Sequence, residues 1–510
     1  MSRALIKSTS TVSSMTMISR VLGFVRDMVA AQIYGVNAAM DAFNIAFKIP
    51  NFMRNLFAEG SFSQAFVPTL SEYRQTRTES EVKAFINHIT GCLGLILLII
   101  TIIAVIASPL LVKVSAPGLE PLRFHYASEM LRVTFPYLML ISLTALCGSI
   151  LNTYSSFAIP AFTPALLNIV LIVAAVWGSQ YFSIPVEAQA WGVLIAGFVQ
   201  LLFQLPFLKQ RGLLPFPIAK WRDPGVQRVL LLMVPAIFGA SVGQISLFLN
   251  TIFVSFLKVG SVSWLYYSER LAYFPLGVFG VALATVVLPH LSRKHAEQSP
   301  EKFKSALDWG IRCNLLIGIP CSIVLLFFAA PIIATLFLYG KFHVYDLLMS
   351  KKSLITYSFG LQAFMLVKVL STAFYARKNI KTPVRFAIIT VGINIILNLL
   401  LMKPLAHAGL ALATSLSAWF NVFLLWFTLI KQKVYVFEKR WFLFMSRLIF
   451  ANAVVALLLW FGEGTLSQWV DWHWYQRMTH LTFWLISAII VYFISLWLSG
   501  IRFSDFRAID

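Results

Sequence analysis

Four arginines and four acids stand inside apolar stretches of this sequence, where water is scarce and charge is unfavourable. Arg20, Arg26 and Asp27 fall within 12–33, Asp41, Arg54 and Glu59 within 38–68, and Glu269 and Arg270 within 262–290. An ionised side chain at the centre of a bilayer costs about 3 kcal/mol or more, so such groups face a bundle interior or a wet cavity. A guanidinium offers a planar fork that fits phosphate oxygens. The set therefore points to a cationic site for an anionic, phosphate-bearing ligand, in which the acids hold the arginines in place. The competing reading is structural: Asp27, Asp41, Glu59 and Glu269 neutralise the four arginines across helix contacts and bind nothing.

Helical periodicity groups these residues. Asp41, Asn44, Lys48, Asn55 and Glu59 share one face, interrupted by Pro50. Arg20 and Asp27 share a face with Gly23 between them, whereas Arg26 projects about 120° away on an ideal helix. Tyr266, Arg270, Tyr273 and Gly277 form a further stripe. Asn250, Asn394, Asn398 and Thr414 are neutral oxygen carriers and a weak candidate Na+ site, with no carboxylate among them. No other metal site is expected. Arg132, Glu129 and Lys368 lie near the ends of apolar stretches, where snorkelling accommodates them.

The elements that must carry these charges are set by composition. Of 510 residues, 59% are hydrophobic and only 12% charged. A soluble domain is roughly 45–50% apolar and about 25% charged, so the chain cannot cover a water-facing surface. Apolar runs of about 20 residues recur throughout and do not alternate, which selects an all-α polytopic membrane protein over a β-barrel. About fourteen spans are expected. The net charge of +21 would suggest nucleic acid in a soluble protein. Here the basic residues sit in short loops, where they set topology and attract membrane lipids, and no nucleic-acid partner is expected. Lys and Arg outside the spans fall roughly three to one on the side shared by both termini, which places the termini in the cytoplasm. Cys92, Cys147, Cys313 and Cys321 lie in or beside apolar runs and read as packing residues. The aromatic run Trp469–Tyr475 reads as an interfacial anchor.

An internal repeat organises the spans. Val67-Pro-Thr-Leu-Ser71 matches Leu288-Pro-His-Leu-Ser292, Thr163-Pro164 matches Thr382-Pro383, and Trp191-Gly-Val-Leu matches Ala408-Gly-Leu-Ala. The offset is about 220 residues each time, the mark of a duplicated unit. Six spans per copy imply two lobes related by a pseudo-two-fold along the membrane normal, residues 1–215 and 216–435, followed by two further helices in 436–510. Two such lobes with a site between them form an alternating-access transporter plan. Paired acids or histidines in sizeable loops, which an enzyme would need, are missing, so a transporter and not an enzyme is expected.

Several stretches resemble one known family. They are Ser13–Asp27 (SSMTMISRVLGFVRD), Asp41–Asn51 (DAFNIAFKIPN), Phe57–Pro68 (FAEGSFSQAFVP), Gly260–Leu271 (GSVSWLYYSERL) and Tyr375–Pro383 (YARKNIKTP). Together they are similar to the MurJ (MviN) family of lipid II flippases, within the multidrug/oligosaccharidyl-lipid/polysaccharide exporter superfamily. The resemblance implies two six-helix lobes plus two C-terminal helices forming a groove for a polyprenyl tail. It implies transport of lipid II, the undecaprenyl-diphosphate-linked peptidoglycan precursor, from the cytoplasmic to the periplasmic leaflet of the inner membrane. Arg20, Arg26, Arg54 and Arg270 would meet the diphosphate. Asp27, Asp41, Glu59 and Glu269 would serve as charge partners, gates or coupling groups. No cofactor is implied beyond coupling to membrane potential or a monovalent cation. The expected unit is a monomer, with cell-wall synthesis machinery as a candidate partner. The alternatives are a flippase for another polyprenyl-linked oligosaccharide and a non-transporting envelope-assembly scaffold.

Overall fold

A computed structural model describes residues 3–55, 62–436 and 440–502. Every regular element among them is helical. Inside a bilayer a helix satisfies its own backbone hydrogen bonds, and the apolar composition leaves the chain that option. Ten helical runs among the described residues are long and apolar enough to cross a membrane. The helix carrying Arg20, Arg26 and Asp27 is not one of them, because three charges and a run of serine and threonine lower its hydropathy.

The chain divides into two compact units, Met1–Val262 and Ser263–Asp510. The first contains α1 (Arg3–Tyr34), α2 (Ala38–Arg54), α3 (Ser63–Thr76), α4 (Glu79–Ile106), α5 (Ser108–Ser115), α6 (Pro121–Thr134), α7 (Tyr137–Thr153), α8 (Ala158–Val173), α9 (Glu187–Gln210) and α10 (Pro224–Ser255). Next comes α11 (Ser261–Pro275), which carries the chain past the division. The second unit continues with α12 (Val281–Ala296), α13 (Pro300–Phe327), α14 (Ala329–Phe337), α15 (Val344–Ala376), α16 (Lys381–Lys431), α17 (Arg440–Glu463), α18 (Leu466–Asp471) and α19 (Trp474–Leu498).

Local sequence fixes where these helices start. The Asn37 side chain accepts from Met40 N at α2, a Thr78–Glu81 capping box opens α4, and Asp223 accepts from Gly225 N and Val226 N at α10. Proline fixes where they bend. The stretch 262–290 expected as one span is α11, a π-helical turn at Leu276–Gly280, then α12. Pro275 has no N–H to give its own i−4 carbonyl, and the following turn relaxes to the wider spacing. The stretches 384–402 and 406–430 run together as α16, broken at Ala406 with φ 49° and ψ −129°, two residues after Pro404. α2 and α3 flank residues outside the described set, so Glu59 lies outside the described residues.

In the first unit α1 packs on α8, α2 on α6, and α7 and α8 both on α9. In the second, α15 is central, touching α12, α13, α14 and α16, while α17 packs on α13 and α19. The aromatic run does not act wholly as an interfacial anchor. Trp469 is buried, its indole N–H donating to the Glu463 carbonyl at 2.6 Å, and its ring meets Phe328 and Trp472. Trp474 and Tyr475 are exposed.

Candidate functional site

One polar arrangement in the first unit centres on Arg26. Its guanidinium pairs with Asp27 through Nη2 at 2.6 Å and Nε at 3.0 Å. Neighbouring residues on a helix do not face one another, so the Arg26 side chain must fold back along α1 to reach its partner. Its Nη1 donates to Asn168 Oδ1 on α8 at 3.2 Å, and Asn168 Nδ2 donates to the Ser19 carbonyl at 3.0 Å. Asp27 has 2% of its side chain exposed and Arg26 13%. The acid is sealed into the helix bundle, and the guanidinium is held at its edge by two partners on two helices. Arg20, two turns earlier on α1, is exposed and has no ion pair among the described residues.

Asn168 was not singled out by sequence reasoning, because one amide in an apolar helix usually reads as a helix–helix contact. The signal that could have found it is the polar set beside it. Gln200 donates to the Thr163 carbonyl at 3.0 Å and Gln204 to the Thr163 hydroxyl at 2.9 Å. Gln189 donates to Tyr34 Oη at 3.2 Å, and Tyr137 Oη donates to Gln200 at 3.2 Å. This buried network joins α1, α7, α8 and α9 into a rigid wall behind Arg26. Asn168→Leu is expected to keep the protein inserted and folded, since a single such hydrogen bond in a membrane is worth about 0.6 kcal/mol. It should nonetheless lower transport several-fold by freeing Arg26. Unfolding temperature and rate of substrate movement, measured on one preparation, check this.

At the other end of the α2 face, Asp41 is fully buried. Its Oδ2 accepts from Gly260 N at 2.6 Å and lies 3.8 Å from Arg123 Nη1. Arg123 is only 1% exposed and also donates to the Leu257 carbonyl at 3.0 Å. Asp41 therefore ties α2 to α6 and to the turn that precedes α11, where Gly260 has φ +95°. By sequence Arg123 belongs with the Lys and Arg outside the expected spans. Nothing in its local sequence shows that the fold buries it.

Lower on α2, Arg54 Nη2 donates to Asn55 Oδ1 at 3.3 Å, and Asn55 Nδ2 donates to Gln244 Oε1 on α10 at 3.4 Å. Phe52 and Phe248 pack beside them with tilted rings, centroids 5.2 Å apart. In the second unit Arg270 is exposed and Glu269 half-buried on α11. Tyr273, on the same stripe as Arg270, packs against Tyr357 and Phe364.

Of the weak cation candidates, Asn398 donates to Asn394 at 3.1 Å, and Asn394 to Ser417 at 3.3 Å. Thr414 donates to the Leu410 carbonyl, and Asn250 is half-buried on α10. The Asn394–Ser417 bond joins the two arms of α16. Among the described residues no group of three His, Cys, Asp or Glu side chains could hold a metal ion.

The second unit also holds an apolar cavity of about 540 Å³ between α13, α15, α16 and α17, walled by Ile319, Phe359, Trp419, Trp426, Trp441 and Met445. A second of about 340 Å³ shares Ile319 and Ile323 with it and continues along α17 past Asn452. Asp308 pins this wall. It accepts from Tyr435 Oη at 2.7 Å and Trp441 Nε1 at 2.5 Å, and pairs with Arg312 at 2.6 Å. The cavities border α17, the first C-terminal helix, but their other walls come from α13, α15 and α16.

Known proteins share this architecture. The family model described as lipid II flippase MurJ matches residues 30–478. The chain is 43% identical to the probable lipid II flippase MurJ of Vibrio cholerae serotype O1, over 99% of this chain and 98% of that one. Among solved structures it resembles lipid II flippase MurJ in an inward closed conformation, with a TM-score of 0.80 and 28% identity over 95% of this chain and 97% of that chain. It also resembles an inward-facing multidrug-resistance MATE transporter of the MOP superfamily, with a TM-score of 0.66 over 85% of this chain and 99% of that one. At 16% identity, that last likeness speaks to fold alone.

Proposed function

The chain belongs to the lipid II flippase MurJ family, and from that premise we propose that it carries lipid II from the cytoplasmic to the periplasmic leaflet by alternating access. It is a multi-pass membrane transporter and not an enzyme: no bond is made or broken. The observation that carries the site assignment is Arg26. A guanidinium 13% exposed within a membrane helix needs more negative charge than one acid supplies if further arginines stand near it. The diphosphate of lipid II supplies that charge. Arg26, with Arg20, Arg54 and Arg270, is proposed to hold it, and the polyprenyl tail to use the apolar cavities beside α17. Asp27 holds Arg26 ready. Asp41, Glu59 and Glu269 are proposed as gate and charge-partner residues, with Asp41 releasing Gly260 and Arg123 when that end opens.

Both termini are proposed to lie in the cytoplasm, with residues 1–215, 216–435 and 436–510 as two lobes and a C-terminal pair. A monomer, with cell-wall synthesis enzymes as candidate partners, completes the reading. Membrane potential is proposed as the driving force, since each charge moved is worth about 2.3 kcal/mol per 100 mV. A proton relay through Asp41 or Glu59 is the competing source.

Expression in a bacterium depleted of its own flippase tests the reading. Rescue by the wild-type chain is expected. Collapse of the potential by a potassium ionophore, with the pH gradient kept, should halt transport in the rescued cells. Failure of well-inserted wild type to rescue would redirect the substrate to another polyprenyl-linked oligosaccharide.

A further inference from the structure

Between α9 and α10 the chain runs as an extended strap clipped to the side of α4. Its sequence from Leu213 is LLPFPIAKWR, ending at Arg222. Asn87 on α4 makes two contacts with it: Oδ1 accepts from Phe216 N at 2.7 Å, and the Asn87 carbonyl accepts from Ile218 N at 3.1 Å. Pro215 and Pro217 have no N–H and hold the segment extended. Gly91 allows the approach, because a Cβ there would stand 2.3 Å from the Ile218 carbonyl carbon. At its far end Asp223 both caps α10 and meets His88 Nδ1 at 2.8 Å. The strap is thus a built element, fixed at both ends and at its centre.

What it displays is unusual for a water-facing loop. Leu214, Phe216, Ile218 and Trp221 are 41%, 72%, 47% and 42% exposed. Alternate residues of an extended chain project the same way, so Leu214, Phe216 and Ile218 form one apolar edge. Around it Lys83, Lys209, Lys220 and Arg222 are exposed, with no ion pair among the described residues. Lys83 Nζ comes within 4.0 Å of the Cβ position at Gly212, which brings it to the root of the strap. Apolar and aromatic side chains ringed by cations match the boundary between acyl chains and anionic headgroups. The strap follows α9, which is long and apolar enough to cross a membrane.

We propose that residues 213–222 are an interfacial membrane anchor. Leu214, Phe216, Ile218 and Trp221 enter the headgroup layer, and Lys83, Lys209, Lys220 and Arg222 bind anionic phospholipid phosphates. The anchor is independent of the transport reading, because it rests on the strap and on the membrane-spanning character of the chain.

The test uses the full chain with the four native cysteines replaced by alanine and an environment-sensitive fluorophore on Leu214→Cys, which lies on the proposed membrane-facing edge. It is placed in nanodiscs of phosphatidylcholine with or without phosphatidylglycerol. Emission should be blue-shifted in both, and more so with phosphatidylglycerol. Replacing Lys83, Lys209, Lys220 and Arg222 with glutamine should remove the phosphatidylglycerol increment. Phe216→Ser with Ile218→Ser should remove the shift common to both. High salt should erase the increment without any substitution, which guards against misfolded variants. Water-like emission in both membranes would overturn the proposal, as would an increment that survives neutralisation or salt. Loss of the increment on adding inorganic diphosphate, but not chloride of equal ionic strength, would assign the basic cluster to a soluble anion and equally overturn it.

Discussion

Arg26→Ala is expected to abolish rescue of a flippase-depleted bacterium, and Arg26→Lys to restore it only weakly. The guanidinium makes contacts an ammonium cannot copy, with Nε and Nη2 on Asp27 and Nη1 on Asn168. Lysine keeps the charge but loses the fork. A charge-assisted hydrogen bond is worth about 1.5–3 kcal/mol, so losing the diphosphate contact should slow transport by about tenfold to more than a hundredfold. Alanine alone also leaves Asp27 buried without its guanidinium, which destabilises by about 3–5 kcal/mol. The double variant Arg26→Ala, Asp27→Ala separates the two effects. It should regain membrane level and unfolding temperature without regaining transport. If the double variant rescues growth, the pair is only a structural ion pair and the scaffold reading gains.

Asp41→Ala is expected to give the largest loss of stability among the site residues. Asp41 is 0% and Arg123 1% exposed, and removing one partner of such a buried pair costs about 3–5 kcal/mol. The Gly260 N–H would lose its acceptor as well. Asp41→Asn keeps an oxygen for that N–H but not the charge facing Arg123, and should fall between wild type and alanine. Thermal unfolding in one detergent, with Arg123→Ala and the double variant completing a cycle, measures the coupling. Additive single effects would show that the two side chains act separately and would remove Arg123 from the assignment.

Much of this molecule was legible before any coordinates. An apolar fraction of 59% points to a membrane chain, in which only helices and closed barrels satisfy every backbone group, and apolar runs that do not alternate select the helices. The charged stretches marked α1, α2 and α11 as exceptional. Motifs such as SSMTMISRVLGFVRD pointed to the family that the comparisons then showed. Helix ends and bends were less legible. Whether Pro275 produces a π-turn and Ala406 a break depends on neighbours packed against each helix, and proline alone permits several outcomes.

The partners of charged groups were legible only in part. Sequence periodicity put Arg20 and Asp27 on one face and sent Arg26 elsewhere. The fold instead turned Arg26 back onto Asp27, because Asn168 on α8 offers it a second acceptor. Asp41 met Arg123, separated from it by three helices along the chain and counted from the sequence among loop charges. By itself the sequence determined the solvent this chain lives in, the helical class, the family, and which residues are too polar for their surroundings. The tertiary structure alone decided which of them meet, since burial and partner choice depend on distances between helices that no local pattern encodes.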